Sequence, residues 1–161
     1  YRIAYCKVHY PKEFYATYFT VRADDFDYIL MGHGREDLLK NKKLIEEKGN
    51  EMSDKEKNVI TIMEVCNEMY ARGLKFLSVD LYKSHATKFI PTPEGLLPPL
   101  NALPGLGTNA ANAITKARED GEFWSIDDLQ QRSKSTKTVI EVLRNAGVLK
   151  GMRESSQVSF F

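Results

Sequence analysis

The 161-residue chain has few cysteines and histidines, and those it has are widely spaced. Cys6 and Cys66 match neither a metal-binding knuckle nor a disulfide framework, so we expect reduced, buried thiols. The three histidines are equally scattered, and the sequence predicts no metal site and no resident cofactor. It contains no P-loop, nucleophile elbow or dinucleotide-binding glycine motif, which excludes the commonest catalytic and nucleotide-binding patterns.

The sequence also lacks long apolar runs and an excess of charge of either sign. No stretch approaches the roughly 18 consecutive apolar residues that cross a bilayer, so no membrane partner is expected. Lysine and arginine number 23 against 22 acidic residues, a formal net charge of +1. Any contact with nucleic acid must therefore come from local geometry. Because the chain starts without methionine or a leader, we expect it to be a piece of a longer protein.

Residues 1–73 carry the pattern of successive amphipathic helices. Pro11 suits the first position of a helix, where its missing N–H has no consequence. Ser53 and Glu56 form a capping box, so another helix is predicted to begin there, and Gly73 is predicted to end it. The apolar residues of that helix recur at intervals of three and four, which is typical of one buried face.

In residues 74–100 the apolar residues recur at a shorter interval than in the preceding helices. This segment also contains four of the six prolines of the chain. Leu77, Val79 and Leu81 alternate with polar residues, which predicts a half-buried strand, and residues 86–90 predict a second strand. A proline-glycine turn and then a pair of adjacent prolines follow. We therefore expect a small β-containing connector between two helical regions, in a protein that is mainly α.

Residues 101–150 contain the most specific pattern in the chain. A short helix is broken by Pro104, after which Gly105 and Gly107 permit the positive φ of a tight turn. Thr108 is then expected to cap a new helix. The amides of such a turn lack partners and point outward with the positive end of the helix, so they can bind a phosphate oxygen. The pattern predicts a helix-hairpin-helix unit, with an ordinary glycine-ended helix junction as the alternative.

A second polar turn follows at residues 133–137, between helices that Ser125 is expected to begin and Gly147 to end. Two such hairpins related by a pseudo-twofold axis would contact both strands of a duplex across its minor groove. The sequence thus predicts a tandem helix-hairpin-helix domain over residues 101–150 that binds the DNA backbone irrespective of base sequence. The expected phosphate-binding residues are Gly105, Leu106, Gly107, Thr108, Asn109, Lys116, Ser133, Lys134, Ser135, Thr136 and Lys137.

Several blocks together resemble the C-terminal end of the PolC-type DNA polymerase III alpha subunits of low-GC Gram-positive bacteria. They are YRIAYCKVHYPKEFYATYFTVRADDFD, KGNEMSDKEK, LPPLNALPGLGTNAANAITKAREDGEF and the terminal QVSFF. The resemblance implies that residues 1–73 are the last helices of the polymerase fingers and that residues 74–100 connect them to the tandem helix-hairpin-helix domain. That domain would hold the newly made duplex behind the active site.

The resemblance also implies an activity that this chain does not carry alone. Such polymerases are cytoplasmic DNA-directed nucleotidyltransferases with a 3′–5′ exonuclease, and Mg²⁺ is expected in the parent protein. Their catalytic carboxylates would lie upstream, so no catalytic residue and no cofactor are expected here, and Asp24 and Asp25 are interpreted as a helix start. A free-standing helix-hairpin-helix module of a repair or competence protein is the alternative.

Residues 151–161 resemble the peptide by which such polymerases bind the ring-shaped sliding clamp, and we expect them to form a flexible tail. The terminal aromatic residues would fill a hydrophobic pocket of the clamp. A fold-back of these residues onto the chain's own core is the alternative. The expected partners are therefore duplex DNA, the sliding clamp and the remainder of the polymerase chain. The clamp-binding residues would be Gln157, Val158, Ser159, Phe160 and Phe161.

Overall fold

The computed structural model describes residues 2–154, and this part of the chain is mainly helical with one short β-hairpin, which confirms the predicted fold class. None of its helices is both long enough and apolar enough to cross a membrane. The α-helices are α1 (Arg2–His9), α2 (Pro11–Val21), α3 (Tyr28–Met31), α4 (Arg35–Glu46), α5 (Asp54–Ala71), α6 (Thr108–Arg118), α7 (Ile126–Ser133) and α8 (Lys137–Asn145). The strands are β1 (Ile90–Thr92) and β2 (Gly95–Leu97), and 3-10 turns lie at Ala23–Asp25, Gly49–Glu51 and Leu100–Ala102.

Helix α5 begins at the predicted capping box. The Ser53 hydroxyl accepts a hydrogen bond from the N–H of Glu56 at 3.2 Å, and the Glu56 carboxylate accepts one from the N–H of Ser53 at 3.4 Å. Lys48 donates to the same carboxylate at 2.7 Å, and this bond lowers the pKa of Glu56. Gly73, with a φ of 84°, follows the helix as predicted. The capping box therefore defines the start of α5, and the left-handed glycine after it defines its end.

The N-terminal helices enclose a core of aromatic, aliphatic and sulfur-containing side chains. In α2, Tyr15 and Phe19 are fully buried, and their rings stack 6.2 Å apart, as residues four apart on one helix face can. Cys66 of α5 is also fully buried, and burial raises the pKa of its thiol well above the ordinary value. Other fully buried members of this core are Met31, Leu38, Ile62, Met63 and Met69.

Four phenylalanines join the helical region to the connector. Phe19 and Phe26 pack against Phe76 and Phe89, and the ring centroids of the six pairs lie between 4.9 and 6.0 Å apart. The rings are tilted or edge-on to one another, which is the favoured geometry for aromatic pairs. Because all four are buried, residues 1–73 and 74–100 share one hydrophobic core.

The connector contains one hairpin whose first strand lies later in the chain than predicted. β1 and β2 pair antiparallel, with Ile90 opposite Leu97, so of the predicted strand at residues 86–90 only the last residue is extended in the sheet. The segment before it forms a turn in which the His85 ring Nδ1 accepts hydrogen bonds from the N–H groups of Thr87 and Lys88. That side-chain acceptor replaces the ladder bonds that a strand would need.

The predicted strand over Leu77–Leu81 is wrong. The Asp80 carboxylate accepts hydrogen bonds from the N–H groups of Tyr82 and Lys83 at 2.8 and 3.0 Å, which turns the chain locally. The buried Ser84 hydroxyl accepts another from the N–H of Asp80 at 2.9 Å. Val79 and Leu81 are nevertheless buried, so the alternation predicted which side chains face the core although it did not predict the backbone.

Two arginines hold α6 and α7 in place. Arg132 donates to the carbonyls of Ala117 at 2.6 Å and Gly121 at 3.0 Å, and its guanidinium lies 4.5 Å from the centre of the Phe123 ring. Arg118 of α6 donates to the Ser84 carbonyl at 2.6 Å and so ties the helix to the connector. Arg132 therefore binds carbonyls at and just after the end of α6, whereas Arg118 binds carbonyls of the connector.

Residues 152–154, within the segment expected to be a flexible tail, lie against the start of α7. The carbonyls of Arg153 and Glu154 accept hydrogen bonds from the N–H groups of Ile126 at 2.7 Å and Asp127 at 3.1 Å. Glu154 also pairs with Arg144 at 2.9 Å. The proposed clamp-binding residues Gln157, Val158, Ser159, Phe160 and Phe161 lie outside the described residues.

Glu68 of α5 links the first two helices to the rest of the N-terminal core. Its carboxylate accepts a hydrogen bond from the Tyr15 hydroxyl at 2.6 Å and lies 3.2 Å from Lys7 Nζ and 3.7 Å from Arg72 Nε. The Tyr15 bond, followed by the Lys7 contact, lowers the pKa of Glu68 below its ordinary value of 4.5. Burial and the bond to Glu68 raise the pKa of Tyr15.

Substitution Glu68→Gln is expected to destabilise the protein at neutral pH by about 1 kcal/mol, and by less as the pH falls. The folded-state pKa lies below 4.5, so the carboxylate's contribution is fully present above that value and is lost as the pH falls through the folded-state pKa. Thermal unfolding of both proteins from about pH 7 down to about pH 3 measures this. Glu64→Gln on the same helix is the control, and a Tm difference independent of pH would contradict the assignment.

Candidate nucleic-acid interface

The first hairpin turn connects the 3-10 turn at Leu100–Ala102 to α6. The short helix predicted before the turn is only this 3-10 turn, because prolines stand close on both sides and leave no room for an α-helical turn. It is attached to the connector through the N–H of Leu100, which donates to the His85 carbonyl at 2.9 Å, and that of Asn101, which donates to the Ala86 carbonyl at 3.1 Å.

Only one of the two glycines in this turn has a left-handed backbone conformation. Gly105 has a φ of 91°, as predicted, whereas Gly107 has a φ of −77° and a ψ of 168°, so the prediction for Gly107 is wrong. Gly107 occupies the N-cap position of α6, and Thr108, predicted to be the cap, is the first helical residue. One left-handed residue suffices to reverse the chain, and the residue after next must then be extended to start a helix.

The turn presents N–H groups that find no acceptor within residues 2–154. The first N–H of α6 to be bonded along the helix is that of Ala111, which donates to the Gly107 carbonyl at 3.0 Å. No side chain caps this end of the helix, and Gly107 offers none. The outward-facing donors are the amides of Gly105, Gly107, Thr108 and Asn109, and all four residues are exposed.

The second hairpin repeats this backbone geometry although its sequence differs. Lys134 adopts the left-handed conformation, with a φ of 54°, at the position equivalent to Gly105. Thr136 is the N-cap of α8, with a φ of −77° and a ψ of 163°, within a few degrees of Gly107. Lys134 is the only residue other than glycine with a positive φ in the described part of the chain. The absence of glycine from this turn therefore does not change its shape.

The second hairpin caps one more of its own amides than the first. The Thr136 hydroxyl accepts a hydrogen bond from the N–H of Val139 at 3.3 Å. The N–H groups of Thr136, Lys137 and Thr138 are left without an acceptor among the described residues. Thr138 is not among the phosphate-binding residues expected from the sequence. It could have been included, because a threonine cap at Thr136 bonds the N–H of Val139 and leaves the N–H groups before it free.

Three of the predicted phosphate-binding residues are engaged inside the protein. Leu106 is 3% exposed, and its N–H donates to the Leu103 carbonyl at 3.1 Å. Ser133 is also 3% exposed, and its hydroxyl donates to the Leu129 carbonyl at 2.6 Å. The Ser135 hydroxyl lies 2.6 Å from that of Ser133. These three residues shape the turns, and we leave their side chains out of the phosphate contacts.

The first hairpin turn is in contact with the second helical pair. A Cβ atom at Gly105 would come within 3.1 Å of Val142 in α8, so the first turn packs against the helix that follows the second turn. Helix α6 leads away from the first turn, and α7 returns to the second. The side chains of Lys116, Lys134 and Lys137 are exposed on these helices and turns. Lys134 and Lys137 stand in and directly after the second turn, whereas Lys116 lies in the last turn of α6, away from the first hairpin turn. The second turn thus presents free amides and cations together, which is a combination suited to phosphate.

Acidic side chains stand beside the first turn. Asp24 and Asp25, interpreted from the sequence as a helix start, lie in a 3-10 turn that borders a groove of about 490 Å³ together with Lys55 and Gly107. Within residues 2–154 no group of three or more potential metal ligands is assembled. A phosphate placed in this groove would be repelled by the two carboxylates and attracted by Lys55.

The chain belongs to the helix-hairpin-helix motif family, whose model matches residues 73–158. Over its full length it is also similar to one segment of much longer proteins. It is 55% identical over 161 residues to the DNA polymerase III PolC-type of Caldanaerobacter subterraneus subsp. tengcongensis, covering 100% of this chain and 12% of that protein. The DNA polymerase III PolC-type proteins of Listeria monocytogenes serovar 1/2a and Clostridium perfringens are 55% and 56% identical over 160 residues, and the chain covers 11% of each. The resemblance found in the sequence is confirmed.

The two turn glycines are expected to respond differently to alanine. Gly105→Ala should destabilise the protein by about 1–3 kcal/mol, because alanine is strained at a positive φ and its Cβ would crowd Val142 at 3.1 Å. Gly107→Ala should leave stability within about 1 kcal/mol of the original, because its φ is ordinary and nothing lies within 4 Å of the added Cβ. Chemical denaturation of both variants measures this, and equal losses would contradict the assigned geometry.

Proposed function

We propose that this chain is a DNA-holding region of a bacterial replicative DNA polymerase, without catalytic residues of its own. The observation that carries the proposal is the pair of hairpins with matching backbone geometry, each presenting free amides at the start of a helix. Its membership of the helix-hairpin-helix family and its identity to PolC-type polymerases over the whole chain support it.

In this proposal each hairpin binds one strand of the duplex through its phosphates. The amides around Gly107 would contact one strand and those around Thr136 the other, with Lys134 and Lys137 adding charge at the second turn. Backbone amides cannot distinguish bases, so the affinity should not depend on sequence. The cationic part of the binding should weaken as salt is raised, because phosphate contacts release counterions. Such a grip suits a protein that must move along DNA.

The polymerase context is proposed from the relatives rather than from this chain's own groups. The chain spans about 11–12% of the length of the relatives described above. Nucleotidyl transfer with Mg²⁺, proofreading by an exonuclease and a place in the bacterial cytoplasm would belong to the whole protein. Residues 1–73 would then be the end of the fingers and residues 74–100 the connector. A region of this size would contribute affinity for the product duplex and no chemistry.

A free-standing repair or competence module is the second candidate. Both candidates use the same hairpins, so DNA binding by itself does not distinguish them. The likeness to polymerases begins in residues 1–73, outside the helix-hairpin-helix match, and it favours the polymerase. The coding sequence of the gene separates the two, because the polymerase requires a long upstream region that contains the catalytic carboxylates.

We further propose that Gln157–Phe161 tether the protein to the sliding clamp. The support is the similarity of these residues to a clamp-binding peptide, together with the attachment of the preceding residues to α7. The carbonyl of Glu154 is fixed to the N–H of Asp127 at 3.1 Å, so the peptide would leave from a defined point on the domain. Two weak attachments, to DNA and to the clamp, would reinforce each other through effective concentration.

Removal of single amides from the hairpins is expected to weaken DNA binding without unfolding the helices. Thr108 and Lys137 are each the first residue of a helix, where proline is well tolerated, and each follows a residue in the extended conformation that proline requires. Thr108→Pro should therefore reduce duplex affinity by about three- to tenfold, whereas Thr108→Ala, which keeps the N–H, should bind nearly as well as the original.

Fluorescence anisotropy with several unrelated duplexes measures this effect, and circular dichroism verifies that the helices remain. Lys137→Pro compared with Lys137→Ala repeats the test in the second hairpin, with the lysine charge removed from both variants. A loss confined to one DNA sequence would contradict recognition by amides, as would equal affinities of the proline and alanine variants.

Deletion of residues 157–161 is expected to abolish binding to the sliding clamp and to leave DNA affinity within about twofold. The deletion removes the whole proposed motif, while the hairpins and the hydrogen bonds of residues 153 and 154 remain. Surface plasmon resonance with immobilised clamp, beside DNA binding in solution, measures both effects. Clamp binding that survives the deletion would exclude these residues as the tether and would leave the DNA proposal unaffected.

A further inference from the structure

The two hairpin turns differ in the charge that the sequence places beside them. The second turn carries the exposed residues Lys134 and Lys137, whereas no lysine or arginine lies between Lys88 and Lys116, on either side of the first turn. The two strands of a duplex carry the same phosphate charge, so binding of both strands favours a cation at each turn. The fold brings such a cation to the first turn from the connector.

The connector turn at residues 85–88 is attached to the start of the first hairpin. Two of its carbonyls accept the hydrogen bonds, described above, from the 3-10 turn that precedes the hairpin. Thr87 and Lys88 of the connector turn border a groove of about 240 Å³ together with Thr108. The N–H of Thr108 is one of the free amides of the first turn. A connector lysine and a free hairpin amide therefore border the same groove.

The backbone that carries Lys88 is fixed, while the lysine side chain is exposed. The N–H groups of Thr87 and Lys88 donate to His85 Nδ1 at 3.0 and 3.1 Å. Burial, followed by the charge of Lys88, lowers the pKa of His85, which favours the neutral ring that can accept these bonds. The next residue, Phe89, is buried, and its N–H donates to the Thr20 hydroxyl at 2.9 Å. A ligand of Lys88 would therefore have to order only its side chain.

The polar groups of this groove have unused bonding capacity. Lys88 forms no ion pair within residues 2–154, although Asp24 borders the same groove. The Asn101 side chain also borders the groove, and its Oδ1 is buried without a hydrogen-bond partner among the described residues. Buried polar atoms normally have partners, and a hydrated phosphate would offer one through its water shell.

The groove of about 490 Å³ described above also borders the first turn, and its charge is less suited to phosphate. Asp27 joins Asp24 and Asp25 there, so three carboxylates stand against the single lysine, Lys55. In the groove beside the connector turn, one carboxylate, that of Asp24, stands against Lys88. A phosphate backbone that leaves the free amides is therefore repelled more strongly on the side of the larger groove.

We propose that the DNA strand held by the first hairpin continues over the groove beside the connector turn, where Lys88 binds a further phosphate. The inference rests on the proposed function, which puts a phosphate on the free amides. Because Thr108 contributes to those amides and to this groove, a strand on the amides lies beside Lys88 whatever else surrounds the domain. Lys88 thus does at the first hairpin what Lys134 and Lys137 do at the second. A lysine binds phosphate as a point charge, so this contact is also independent of base sequence.

Replacement of the connector lysine tests the contact. Lys88→Gln should weaken duplex binding about three- to tenfold at about 100 mM salt and should reduce the slope of log affinity against log salt by about one. Lys88→Arg keeps the charge and should retain both the affinity and the slope. Lys83→Gln is the matched control, because it removes another exposed connector lysine that borders neither groove, and it should change neither quantity. Fluorescence anisotropy with unrelated duplexes at several salt concentrations measures these effects.

Lys55→Gln tests the path of the strand. It should leave the affinity and the salt slope unchanged, because the strand does not cross the larger groove. A reduced slope with Lys55→Gln and an unchanged slope with Lys88→Gln would overturn the proposal and place the strand on the other path. Equal losses with Lys83→Gln and Lys88→Gln would also overturn it, since they would show a general effect of charge. Circular dichroism verifies that each variant is folded.

Failure of this inference and failure of the proposed function give different results. If the original chain binds duplexes and Thr108→Pro weakens that binding, but Lys88→Gln does not, the hairpin amides remain assigned and the contact of Lys88 is excluded. If the original chain binds no duplex, or if Thr108→Pro binds as well as Thr108→Ala, the proposed function fails and this inference fails with it.

Discussion

A helix begins with N–H groups that the helix itself cannot satisfy, and the C-terminal half of this protein is organised around two such beginnings. Such groups are satisfied by side-chain caps, by water or by a ligand. Here Gly107 offers no cap at all, and Thr136 caps only one N–H. The left-handed backbone at Gly105 and Lys134 directs the remaining donors outward. In the proposed function, the phosphate oxygens of DNA would accept hydrogen bonds from these free N–H groups.

The rest of the structure keeps these donors in place. Arg132 fastens the link between α6 and α7, and Arg118 fastens α6 to the connector. The connector is in turn attached to the N-terminal helices through the cluster of four phenylalanines, of which Phe19 and Phe76 belong to the two sides. The hairpins are therefore joined through buried contacts to residues 1–73. The N-terminal helices, the connector and the hairpins therefore share one hydrophobic core.

Features that depend on neighbouring residues were predictable. The capping box of Ser53 and Glu56 and the cap at Ser125 form hydrogen bonds over three residues, so their atoms meet whatever the rest of the chain does. The position of Gly105 in the left-handed region followed from the same kind of local argument. The strand expected over Leu77–Leu81 does not form, because hydrogen bonds of the Asp80 and Ser84 side chains turn the chain at the end of this segment. The alternation of apolar residues predicted only which side chains are buried.

The sequence by itself determined the helical class, the helix starts, the first hairpin and the resemblance to a polymerase, since each rests on local hydrogen bonding or on the order of residues. Only the tertiary structure decided which amides are free, that Ser133 and Leu106 face inward, and that Lys134 takes the place of a glycine. It also decided that the connector places Lys88 beside the first hairpin turn. These properties depend on which distant groups pack nearby, and residue spacing along the chain carries little information about such contacts.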